Sequence, residues 1–189
     1  MLLCLLIGLG VVAALFCVAL GTRLWGTDTA KNRYKHILLS VYLGGVLWLT
    51  LVNRVGMEIS RVRFQPFYVL RQMLNCWFGF RKISAATCRA VFRNSPHLFD
   101  SAHASPVEDL FLNVILFMPM GFLLPYVWPK LTFCKTLLLG ALWAVGIEAV
   151  QYWAHWGCCD IDDVINDTLG TCIGYVCWAL YRKVARVEK

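Results

Sequence analysis

Long apolar stretches separated by charged segments decide what this chain can become. They run from Leu2 to Leu20, Ile37 to Val52, Leu110 to Val127, Leu137 to Ala154 and Val164 to Tyr181. Each is about 16 to 19 residues long, close to the length that carries a helix across roughly 30 Å of hydrocarbon. A water-soluble core has no room for so much apolar surface: 59% of the residues are hydrophobic, 15% are charged and the mean hydropathy is +0.62. The chain reads as an all-α, polytopic membrane helical bundle with about five transmembrane helices. It is one domain over residues 1–189, without internal repeat, low-complexity run or linker. Pro119 and Pro125 interrupt the third stretch without excluding it, because neighbouring helices can satisfy the carbonyls that a proline frees.

Charge sets the expected orientation. No Lys or Arg precedes the first stretch, whereas Arg23, Lys31, Arg33 and Lys35 follow it, the reverse of a cleaved signal. Basic flanks prefer the cytoplasm, which puts the amino terminus outside. Arg182, Lys183, Arg186 and Lys189 put the carboxy terminus inside, and Lys130 and Lys135 agree with five spans. The long segment Asn53 to Asp109 falls outside although it holds Arg54, Arg61, Arg63, Arg71, Arg81, Lys82, Arg89 and Arg93; long loops obey the charge rule weakly. Within it, Phe64 to Lys82 mixes aromatic and basic residues as an interfacial helix between helices 2 and 3 would, with rings in the headgroup layer and cations on lipid phosphates. A lid carrying Arg61, Arg63 or Arg71 to a site is the competing reading. The net charge of +7 follows from these flanks, and nucleic acid is not an expected partner.

Polar residues of three stretches meet at one depth in this topology. Asn113 lies about one turn below the outer surface on the third helix, and Glu148 and Gln151 reach the same level on the fourth. After the loop Cys158-Cys159-Asp160-Ile161-Asp162-Asp163, the fifth helix presents Asp163 and Asp167 at i, i+4 with Asn166 beside them. Gly170 and Gly174 continue that face as a small-xxx-small pair that lets another helix approach closely. Carboxylates at the mouth of a helix pair are costly unless they are used. The plainer reading is structural: Asp160, Asp162 and Asp163 can cap the fifth helix, Asn113 can hold helices together, and Ser105-Pro106-Val107-Glu108 matches a capping box.

Nine cysteines form no CxxC and no Cys/His zinc spacing. Cys76 and Cys88 could pair in the outer loop, while Cys158 and Cys159 are adjacent and too close for an ordinary bridge with each other. The Asp-x-Asp-Asp run lacks the glycine and terminal Glu of a calcium loop, so no metal is assigned. No nucleotide, flavin or haem motif is present, and no cofactor is expected.

Asn113-Val-Ile-Leu-Phe117-Met-Pro119-Met-Gly121-Phe122-Leu123-Leu-Pro125, then Glu148-Ala-Val-Gln151, then Asp160-Ile-Asp162-Asp163-Val164-Ile165-Asn166-Asp167-Thr168-Leu169-Gly170 and Gly174-Tyr175 resemble, in order, the signatures of VanZ-like membrane proteins. Arg63-Phe64-Gln65-Pro66-Phe67 resembles the family's Pro-Phe element. The resemblance covers about 120 residues and implies a bacterial cytoplasmic membrane protein linked to resistance against glycopeptides of the teicoplanin type. Two positions depart from the pattern. Trp156 to Cys159 lacks the Arg usual before the aspartates, so its anion-binding role does not carry over, and Asp167 stands where Asn is common.

Two functions follow as expectations. The first is a polar, carboxylate-rich site at the extracytoplasmic face that binds a lipoglycopeptide antibiotic or a lipid-linked cell-wall precursor beside membrane lipid, using Asn113, Gln151, Asp162, Asn166, Asp167 and Arg63. The second is a membrane hydrolase or transferase acting on a lipid-linked or surface polymer, with Glu148 or Asp163 as general acid or base and Asp160 orienting the reaction. Transport has little support, since no inverted repeat or interrupted helix pair is visible.

Overall fold

The computed structural model describes residues 27–52, 59–79, 88, 91 and 106–187. In chain order the elements are α1 (Asp28–Thr50), β1 (Ile59–Arg63), α2 (Tyr68–Phe78), α3 (Pro106–Val127), α4 (Phe133–Ala154), β2 (Trp156–Asp160) and α5 (Ile161–Val187). The first apolar stretch, Leu2 to Leu20, and Ser105 of the expected capping box lie outside the described residues. The other four stretches coincide with α1, α3, α4 and α5. Of these, α3 and α4 are, by length and composition, long and apolar enough to cross a membrane.

Elementary signals place the helix ends. Thr27 caps α1 by accepting the Ala30 N–H, with Asp28 favouring the positive end of the helix dipole. Pro106 opens α3 at the position where a missing N–H costs nothing. His155 takes a left-handed conformation that stops α4 and turns the chain directly into β2.

Helices α3 and α5 run parallel in the middle of the bundle, and glycine sets their separation. A Cβ at Gly121 would run into the Thr171 carbonyl, one at Gly170 into the Val114 carbonyl, and one at Gly174 into the Met118 carbonyl. The small pair expected on the fifth helix therefore has α3 as its partner, which answers with a glycine of its own. Gly140 of α4 faces the Thr171 side chain in the same way. Phe117, Phe122, Leu123, Ala144 and Ile147 fill the core around this seam. Helix α1 runs antiparallel to α3: the Tyr42 hydroxyl donates to the Leu116 carbonyl at 2.8 Å, three residues before Pro119 crowds the α3 ladder.

The all-α expectation needs one correction. Residues Trp156 to Asp160, read as loop, form β2, which pairs in parallel with β1 in the register Ile59 to Trp156 through Arg63 to Asp160. A strand pair only five residues long, with glycine and two cysteines in one member, carries too little alternation to show in the sequence. Between β1 and α3 the stretch expected to be interfacial contains a helix, α2. Its Val69 and Met73 pack on Val91 and Val107, with Leu110 and Phe111 alongside, and a disulfide joins Cys76 to Cys88.

Candidate functional site

The strand pair positions the charges. Because β1 and β2 are parallel and in register, Arg63 stands opposite Asp160, and its Nη1 donates to Asp160 Oδ2 at 2.9 Å. The guanidinium also lies over the Tyr68 ring, 4.9 Å from its centroid. The positive charge beside the aspartates thus comes from the paired strand and not from the residues that precede them in the chain.

Three carboxylates bind backbone N–H groups. Glu148, on the buried face of α4, accepts the Asp160 N–H at 2.8 Å and so fixes the end of β2. Asp160 caps α5 by accepting the Asp162 N–H at 3.0 Å. Asp162 turns away from its own helix and accepts the N–H groups of Phe67 and Val69, which start α2. Phe67 is left-handed at φ 59°, a conformation that costs a non-glycine residue about 1–2 kcal/mol. The Asp162 bond to its N–H offsets that cost, and the Gln65-Pro66-Phe67 turn is held to the aspartate cluster.

The remaining residues divide between interhelical bonds and buried faces. Asn113 of α3 donates to Asp163 of α5 at 2.7 Å, two residues that the sequence reading places at one depth. Gln151 is 1% exposed and donates through Nε2 to the Thr50 carbonyl at the end of α1. Its Oε1 is buried with no hydrogen-bond partner among the described residues. Asn166 and Asp167 are buried on α5, one turn deeper than Asp163. The site therefore gathers Arg63, Asn113, Glu148, Gln151, Asp160, Asp162 and Asp163 at one end of the bundle, while Asn166 and Asp167 lie beneath it.

Burial pushes the Asp160 carboxyl above the ordinary carboxylate range; the Asp162 N–H and the Arg63 guanidinium pull it down, and the Asp162 carboxylate adds to the rise. Sequence reasoning missed the Phe67 and Val69 N–H groups, the Tyr68 ring and the Thr50 carbonyl. Only Pro66, which presets a turn, signalled any of them. Among the described residues no three His, Cys, Asp or Glu side chains form a metal-holding group.

A family model described as VanZ/LLP1 matches residues 37–182, most of the chain, and the chain belongs to that family. No curated protein and no solved structure matches it.

Proposed function

We propose that this VanZ/LLP1 protein lies in a bacterial cytoplasmic membrane and binds a lipoglycopeptide or a lipid-linked envelope precursor at its extracytoplasmic end, contributing to teicoplanin-type resistance. Two features support the orientation. Lys31, Arg33, Lys35, Lys130, Lys135, Arg182 and Lys183 belong to the end of the bundle opposite the carboxylates, as basic residues retained inside would. The Cys76–Cys88 disulfide belongs to the carboxylate end, as expected of a face in an oxidising compartment.

The observation that carries the binding reading is Gln151 Oε1. A buried amide oxygen without a donor costs about 1–3 kcal/mol, and a sugar hydroxyl or peptide N–H of an envelope amphiphile would satisfy it. The enzymatic reading has less to stand on. A general acid or base must exchange protons with its substrate, whereas the Glu148 carboxylate already holds the Asp160 N–H, and withdrawing it would loosen the junction of β2 with α5.

The test is teicoplanin susceptibility of cells expressing wild type, Gln151→Met, Glu148→Gln and Asp163→Asn at matched membrane levels. Protection by wild type that Gln151→Met removes supports a ligand at the amide. Protection that survives Gln151→Met but vanishes in both carboxylate variants favours the enzyme. Absence of protection by wild type rejects the resistance role.

A further inference from the structure

Helix α2 is apolar on two sides, one of them buried and the other largely exposed. Val69 and Met73 face α3 at 6% and 8% exposure, whereas Leu70, Leu74, Trp77 and Phe78 are 43%, 36%, 60% and 65% exposed. The exposed set follows the i, i+4, i+7, i+8 spacing of a single helical stripe. Arg71 is exposed beside it. In water such a stripe on a short helix would be a liability.

Two contacts fix where the stripe sits and how far it can move. The first turns of α3, a candidate span, bury Val69 and Met73 through Val107, Leu110 and Phe111. This puts α2 at the depth where a spanning helix enters the hydrocarbon. At its start α2 is held by Asp162, and near its end by the disulfide from Cys76 to Cys88. A helix tied at both ends does not swing as a lid would.

We propose that α2 is a fixed shelf in the outer leaflet of the bilayer, its Leu70, Leu74, Trp77 and Phe78 stripe immersed at the boundary between headgroups and acyl chains and Arg71 on lipid phosphate. This assignment rests on the membrane placement above and not on the identity of any ligand. A helix with an apolar face and an adjacent cation lies about 5–10 Å into that boundary.

The experiment uses the full chain in vesicles of phosphatidylethanolamine and phosphatidylglycerol, with an environment-sensitive fluorescent amino acid in place of Leu74 or, as a second position on the stripe, Leu70. Quenching by brominated lipids, stronger for bromine near the glycerol end of the chain than near its methyl end, together with shielding from iodide, is the expected result. Quenching by iodide without quenching by lipid overturns the proposal, and shielding from both means that protein covers the stripe and overturns it equally. Extraction of the chain from the vesicles by alkaline carbonate removes the membrane placement and the shelf together. If lipid quenching holds while cells gain no teicoplanin protection, the ligand reading alone fails.

Discussion

The two ends of the bundle are held by different forces. At the carboxylate end, Glu148, Asp160 and Asp162 fix backbone N–H groups and Arg63 fixes Asp160, so position depends on directional bonds. At the basic end, Phe122, Tyr126, Trp178 and Tyr181 pack with ring centroids 5.5 to 6.4 Å apart. Lys35 sits over the Tyr126 ring at 4.7 Å and His36 meets Trp128 edge to face. Rings tolerate exchange of one apolar shape for another, while a carboxylate that holds an N–H does not tolerate loss of its oxygen. Bonds fix the geometry of the carboxylate end, and volume fixes that of the basic end.

Substitutions should separate the two. Trp178→Ala is expected to cost most, about 3 kcal/mol, as a fall in the thermal midpoint of purified protein, with Trp178→Phe restoring much of it; equal loss in both would deny that volume is what counts there. Asp162→Ala should cost about 2 kcal/mol by leaving the Phe67 and Val69 N–H groups without their acceptor. Its signature is local, with limited proteolysis cutting near α2 before the rest of the chain. Asn113→Leu should cost about 0.6 kcal/mol, the usual size of an interhelical hydrogen bond in a membrane, measured against the same variant made with Asp163→Leu. Lys35→Gln should cost about 0.5 kcal/mol by removing the cation from the Tyr126 ring.

The pH dependence of Asp160 has a definite sign. Its carboxyl is raised in the folded protein, so the native state takes up the proton first as pH falls. The destabilising contribution of this group is therefore complete above the raised folded pKa and disappears as pH drops toward the ordinary carboxylate range. Thermal midpoints at neutral and mildly acidic pH should show this stabilising component in wild type and lack it in Asp160→Asn. A wild-type and variant pair with identical acid limbs would mean that Asp160 titrates as an exposed carboxylate.

Hydropathy located α1, α3, α4 and α5 because a long apolar run is a coarse, contiguous signal. The five-span topology brought Asn113 to the depth of Asp163, and helical periodicity put Gly170 and Gly174 on one face as a short-range consequence of 3.6 residues per turn. The bond from Asp162 to the start of α2 was not legible. As a local feature Asp162 reads as a cap for α5, and choosing α2 instead requires knowing that β1 lies beside β2. The Arg63 partner was hidden for the same reason, and Gln151 was foreseen as polar at this level but not as bonded to Thr50.

The parallel pairing of β1 with β2 also sets an order of assembly. Arg63 and Asp160 are 97 residues apart and Phe67 and Asp162 are 95, so the contacts that complete this end join an early part of the chain to a late one. A ribosome releases the chain amino terminus first, and pairings of such long range form slowly. A nascent chain halted before Trp156 carries Arg63 and α2 but none of the β2 and α5 partners that hold them, whichever helices are already inserted. The carboxylate end cannot be completed until β2 and the first turns of α5 have been made.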